Sequence, residues 1–357
     1  MVKTRAWPVR AMYILIAAAL AISLIIMAAP AQKASAADDP IVNAEWERVG
    51  TPTMDGFVLA PESVIIDYAL DAGGEVAYAV VQGYDEDPSD DIDSMENPDP
   101  WTNYDYRLLK SDDYAATWDD LTDALEAVID IDDGDYIDEL LLVATDWEDP
   151  DFVAVALWWY DDSADHWNLS VFFSTDGGAT FDDIGEVEEG GVYLDTVADL
   201  AVSYEAAGKR EIAIGGEEYD GMNYYSGLFR STVTGDSATG WEDATEYAGW
   251  DDESDGSPFT SILVTDIIFS PSWGTDKTIL VTTVNPTLTG PGPLDVHLQC
   301  GSWGTSPGWN EKSTLGIEAV SIIDGVDLPM GLVGMDARGI AGITLPEDYN
   351  SKDSDDR

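Results

Sequence analysis

The apolar and polar positions of this chain alternate in short runs. Four stretches share one layout: an apolar run, a brief polar loop, then a second apolar run. They are VIIDYALDAGGEVAYAVV from Val64, LLLVATDWEDPDFVAVAL from Leu140, LAVSYEAAGKREIAIGG from Leu200 and IIFSPSWGTDKTILVTT from Ile267. β-Branched and aromatic residues dominate them and none has a helical period, so each predicts a pair of strands. A third short strand follows each pair, ending near Ser111, Ser174, Ser231 or Cys300. A turn and an aromatic residue come next, and then an expected fourth strand in TWDDLT, TFDDIG, GWEDAT and GWNEKST. Four short strands at a period of roughly 65 residues is the pattern of β-propeller blades. The expected class is therefore all-β, a β-propeller of four-stranded antiparallel blades.

The turns between third and fourth strands repeat as well. STDGGATF runs from Ser174 to Phe181 and SDDYAATW from Ser111 to Trp118; STVTGDSATGW (Ser231 to Trp241) and CGSWGTSPGW (Cys300 to Trp309) are looser. In such a turn Asp176 can accept backbone N–H bonds, Gly177 or Gly178 can take positive φ, and Phe181 or Trp118 can bury its ring. The pattern S-x-D-x-G-x-T-[WF] resembles the Asp-box, or BNR repeat, of sialidases, sortilin-like receptors, xyloglucanases and bacterial surface proteins. Ser174, Asp176, Gly178, Thr180 and Phe181 match every defined position, and Ser111, Asp113, Thr117 and Trp118 match with Ala115 in place of the glycine. The resemblance implies a structural role for these residues, at the outer edge of each blade and away from a ligand-binding central channel.

Charge narrows the classes of partner. With 15 Lys+Arg against 71 Asp+Glu, the formal charge is −56. The chain lacks the clustered cations that nucleic acid or an anionic membrane requires. A hydrophobic fraction of 45% with 13 Trp argues against disorder. One Cys excludes a disulfide framework. Such an acidic surface repels itself in dilute buffer, so divalent cations or a saline exterior are expected.

Residues 1–36 are expected to be a signal peptide. Lys3, Arg5 and Arg10 form a basic start, Met12 to Ala29 is apolar, and Ala34-Ser35-Ala36 reads as a cleavage site. An uncleaved anchor is the alternative; with cleavage no membrane span follows, and the location is extracellular or at the cell surface. Residues 37–357 then form the propeller, with blades at about 61–125, 137–190, 197–247 and 263–315 and a partial fifth at about 338–357. AEWERVGTP, Ala44 to Pro52, reads as a lone fourth strand of the kind that closes a ring. The end of the chain reads as the opening of a further blade in a longer propeller. A polar tail is the alternative, with Ser321 to Val333 holding strands of a compact fifth blade.

The candidate chemistry is sparse. The sialidase resemblance implies three arginines around a substrate carboxylate, a Tyr nucleophile with Glu, and an acid/base Asp. Only Arg48, Arg107, Arg210, Arg230, Arg338 and Arg357 are available beyond the signal, so that activity is not expected. Paired carboxylates for glycoside hydrolysis cannot be picked out by spacing among so many acids. His297 and Cys300 fall on opposite faces of one strand. Oxygen ligation of Ca²⁺ is the one site chemistry expected, at Asp90, Asp91 and Asp93 or at Asp132, Asp133 and Asp135. Trp158-Trp159-Tyr160 and Tyr224-Tyr225 invite a sugar-stacking reading, although at least one of each set should pack between blades. The function expected is non-enzymatic: an exported envelope propeller of surface-layer type, self-associating or binding envelope glycan. The alternative is an extracellular glycoside hydrolase on the same scaffold.

Overall fold

The computed structural model describes residues 64–84, 104–129, 136–219, 224–251, 261–286, 293–304, 306–310, 320–327, 342–346 and 348–352. The first blade comprises β1 (Val64–Leu70), β2 (Ala77–Tyr84), β3 (Tyr104–Ser111) and β4 (Asp119–Asp120), followed by helix α1 (Thr122–Ile129). The second comprises β5 (Tyr136–Thr145), β6 (Val153–Asp161), β7 (His166–Ser174) and β8 (Asp182–Glu186). The third begins with β9 (Glu188–Glu189) and continues through β10 (Val192–Val202), β11 (Arg210–Tyr219), β12 (Tyr224–Thr234), β13 (Ser237–Ala238) and β14 (Glu242–Asp243). The fourth holds β15 (Leu263–Phe269), helix α2 (Trp273–Asp276), β16 (Thr278–Pro286), β17 (Pro293–Ser302), β18 (Gly308–Trp309) and β19 (Val320–Asp327). Every strand pair is antiparallel, and each sheet runs in chain order from its first long strand outward. The protein is all-β and propeller-like.

The unbroken apolar runs follow from burial on both faces. In β6, Val153, Val155 and Leu157 join Tyr78, Val80 and Leu108 of the first blade, while Ala154 and Ala156 join Ile212, Ile214 and Phe229 of the third. Alternation by side-chain direction therefore sends one residue to each neighbour and leaves no polar face. A third core joins Ala213 and Leu228 to Val264, Ile267, Trp273, Ile279 and Trp309 of the fourth blade. Trp158 and Trp159 divide in this way, one into each of the cores flanking the second blade.

Outer strands depart from the expected pattern. Only β8 reaches five residues; β4, β14 and β18 have two each. TWDDLT is not a full strand, because Leu121, Leu125 and Ile129 recur at helical spacing and α1 turns Leu125 and Ile129 inward. Asp120 Oδ1 accepts from Thr122 N at the start of α1 (2.9 Å). Residues 320–327 are not part of a fifth blade: β19 pairs with β17 and lengthens the outer edge of the fourth sheet. Residues 1–36, Ala44 to Pro52 and the stretch 353–357 lie outside the described residues. No described helix is long and apolar enough to cross a membrane.

Candidate functional site

The first strand of each blade carries a bulge at one repeated position. Register shifts fall between Ile65 and Asp67, Leu140 and Leu142, Val197 and Asp199, and Val264 and Asp266. A bulge re-aims the residue beside it. At three of the four positions that residue is Asp, and its carboxylate reaches the next blade. Asp67 Oδ2 accepts from Val143 N (2.8 Å), Asp199 Oδ2 from Ile267 N (2.5 Å), and Asp266 Oδ2 from Ile343 N. Val143 and Ile267 each stand one residue past the bulge residue of their own strand, so one device repeats from blade to blade. Residues 342–346 thus lie against the fourth blade as each first strand lies against its predecessor. Ile343 and Leu345 pack on Leu280 and Cys300.

Asp199 and Asp266 are also hydrogen-bonded to each other. Burial, then the Asp266 charge and then that of Asp67, hold Asp199 well above the usual carboxylate range. Asp266 is raised by burial as well, against the hydrogen bonds from Ile343 and Asp199. Two carboxyls this close cannot both ionise cheaply, so the pair favours holding a proton between them. Asp199 is enclosed by the channel wall yet keeps a face on the cavity.

These strands enclose a central cavity of ≈ 450 Å³. Its wall repeats two positions past each bulge residue, at Ala69, Ala144, Ala201 and Ile268, and takes in Thr344, one past the donor Ile343. Tyr68, Trp147 and Tyr204 line it near the C-terminal ends of the first strands, with Tyr68 64% and Trp147 45% exposed. The arrangement offers aromatic faces and carbonyl or carboxyl oxygens to a ligand. Among the described residues that line it there is no Lys or Arg.

The two regular turns form matching networks. Ser174 Oγ donates to Asp176 Oδ1 (2.8 Å) and accepts from Gly178 N (2.8 Å); Asp176 accepts from Thr180 N (2.9 Å) and Thr180 Oγ1 (2.7 Å). Ser111, Asp113 and Thr117 repeat these bonds, with Ala115 N donating to Ser111 Oγ at 3.0 Å. Bonds from Thr117 hold Asp113 below the usual carboxylate range. Burial works upward on Asp176, but the bonds from Thr180 and Ser174 outweigh it and lower that carboxyl too. Phe181 is buried, and Trp118 packs on the outward face of the first blade. None of these residues reaches the channel.

Sequence reasoning did not single out Asp67, Asp199 or Asp266. The signal was present as DYAL, DLAV and DIIF, an Asp introducing each apolar triplet. Asp90, Asp91, Asp93, Asp132, Asp133 and Asp135 lie outside the described residues. Among the described residues no group of three or more His, Cys, Asp or Glu is placed to hold a metal ion. Arg107, Arg210 and Arg230 face Asp120, Asp146 with Asp149, and Glu242, away from the channel. Cys300 is fully buried, and burial pushes its thiol up to about 12.

Four antiparallel sheets around a shared channel define an all-β, propeller-like protein. Comparison with known proteins adds likenesses of fold. No family model matches the chain, and no curated protein matches it. Among solved structures it is similar to the Hadza microbial sialidase Hz136, at 14% identity over 68% of this chain and 43% of that one, with a TM-score of 0.37. It is similar to the α-L-arabinofuranosidase Arb93A from Fusarium graminearum at 14% identity, covering 66% of this chain and 62% of that one, TM-score 0.36. A Penicillium chrysogenum α-L-arabinanase gives 11% identity over 72% and 66%, TM-score 0.36. The chain thus spans less than two thirds of the first two. Likenesses this distant carry no argument about activity.

Proposed function

We propose that the chain is an exported cell-surface propeller of the Asp-box kind that binds a saccharide at its channel mouth without hydrolysing it. The carrying observation is the employment of the channel carboxyls. Asp67, Asp199 and Asp266 each accept a backbone N–H from a neighbouring segment, at Val143, Ile267 and Ile343, and burial raises both Asp199 and Asp266. Glycosidases need two carboxyls set about 5–10 Å apart with a substrate between them. Tyr68 and Trp147, both exposed at the cavity, supply the flat apolar faces that sugar rings stack on. Envelope glycan is the ligand class, and self-association into a surface layer and Ca²⁺ binding by the acidic loops belong to the same reading.

The second reading is glycoside hydrolysis. An acid-bearing cavity beside aromatic rings favours it. One experiment separates the two. Purified protein is applied to a glycan array, and array hits are incubated with it and assayed for released reducing ends. Binding that is lost in Trp147→Ala, with no release, supports the first reading. Release that disappears in Asp67→Asn or Asp199→Asn replaces it with the second. Absence of both binding and release overturns the channel as a saccharide site.

A further inference from the structure

The opposite end of the second blade carries a cluster of three aromatic rings that the channel does not use. Tyr136 on β5 pairs with Tyr160 on β6, and Tyr160 pairs with Trp167 on β7. Ring centroids are 5.5 Å apart for Tyr136–Tyr160, 4.9 Å for Tyr160–Trp167 and 5.8 Å for Tyr136–Trp167. Cross-strand partners share a sheet face, and this is the face whose deeper residues Trp158 and Ala156 enter the core with the third blade. The cluster lies past the end of that core. Tyr136 and Trp167 keep 45% and 43% of their surface in solvent.

The rings are held without help from a ligand. Tyr160 Oη donates to Asp165 Oδ1 (2.7 Å), and Asp161 Oδ1 fixes the intervening turn by accepting from Ser163 Oγ (2.7 Å) and Ala164 N (2.9 Å). A surface ordered in advance loses little entropy when it binds. Charge then selects the partner. No Lys or Arg occurs between Lys110 and Lys209, so the entire second blade lacks them. Its one histidine in this region, His166, stands 3.3 Å from Glu186. Asp162 and Asp165 are exposed beside the cluster. An anionic polymer is repelled there, and so is the same face of a second copy. Sugar hydroxyls, by contrast, find acceptors in those carboxylates.

We propose that Tyr136, Tyr160 and Trp167 form a second saccharide platform, a compact aromatic cluster on which a sugar unit of a neutral polysaccharide stacks. It lies about 30 Å along β5 from the channel mouth, and it stands or falls independently of the channel reading. The test is electrophoresis of the full chain through native gels containing β-glucan, xylan or mannan, with alginate as the anionic control. At least one neutral polymer should retard the protein, and alginate should not. Trp167→Ala should weaken that retardation about tenfold or more, while Trp167→Phe retains most of it. Tyr136→Ala serves as the second ring deletion, and near-ultraviolet circular dichroism verifies that each variant is folded. No retardation by any neutral polymer overturns the platform. Retardation that survives both ring deletions, or that only Trp147→Ala removes, does so too.

Discussion

Replacing Asp199 by Asn tests the proton shared across the channel wall. Protonated Asp199 donates to Asp266 and accepts from Ile267 N; an asparagine amide reproduces both bonds without titrating. Both carboxyls are raised in the folded protein, so the native state binds the shared proton more tightly than the unfolded chain does. Its stabilising contribution is whole below about pH 4, where the unfolded carboxyls are protonated as well. It is lost as pH climbs from there through the pair's folded value. Over that window the native state holds one extra proton, and stability falls by about 1.4 kcal/mol per pH unit from this source. Other buried carboxyls add their own slope, so the informative quantity is the difference between wild type and variant. Urea unfolding at constant high salt from about pH 4 to about pH 8 should show the wild type losing ground to Asp199→Asn as pH rises. Asp199→Ala strands the Ile267 N–H and should be less stable than Asp199→Asn by about 1–3 kcal/mol at every pH. Parallel curves for wild type and Asp199→Asn would refute the shared proton.

Three further outcomes are expected. Ala115 has φ 61° where the matching turn has Gly178 at 86°, so Ala115→Gly should raise stability by about 1 kcal/mol in thermal unfolding. Gly178→Ala should lower it, because a Cβ there would lie 2.4 Å from Leu121 Cδ1. Arg210 bonds Asp146 (2.7 Å), bonds Asp149 (2.5 Å) and lies 4.7 Å from the Phe152 ring centre; Arg210→Ala leaves buried Asp146 uncompensated and should cost about 3–5 kcal/mol by chemical denaturation. Scanning calorimetry with and without Ca²⁺ should show a higher midpoint with the ion than in a control of matched ionic strength. An unchanged midpoint would remove Ca²⁺ from the proposal.

Fold class was legible because burial on two faces imprints long apolar runs that local sequence cannot disguise. The second strand of each blade shows this best: VAVAL in β6 serves two cores at once. Outer strands were not legible, because β4 and β14 are two acidic residues each, no different from loops, and β18 is only Gly308–Trp309. The helix α1 was overlooked because its stripe, Leu121, Leu125 and Ile129, begins inside a segment read as a strand by analogy with TFDDIG. The channel acids were hidden for a different reason. Asp67, Asp199 and Asp266 are three among 71 acidic residues, and only the bulge beside each turns it across the seam.

The chain's few cations sharpen the account of its charge. Arg210 bridges the second and third blades, and Arg230 sits over the rings of Tyr247 and Trp303 while bonding Glu242. Lys110 pairs with Asp112 beside the Tyr78 ring, and Lys277 lies over Trp273. Cations are thus used next to blade seams, where a charge meets both a carboxylate and an aromatic face. Acids fall into two populations. Those at pins and turns are satisfied by backbone N–H groups or by a shared proton, and salt has little to screen there. The exposed remainder repel one another over distances that salt does screen. Added salt should therefore raise the stability of wild type and Asp199→Asn by the same increment. A pH change should separate them, so salt and pH read two different parts of one acidic surface.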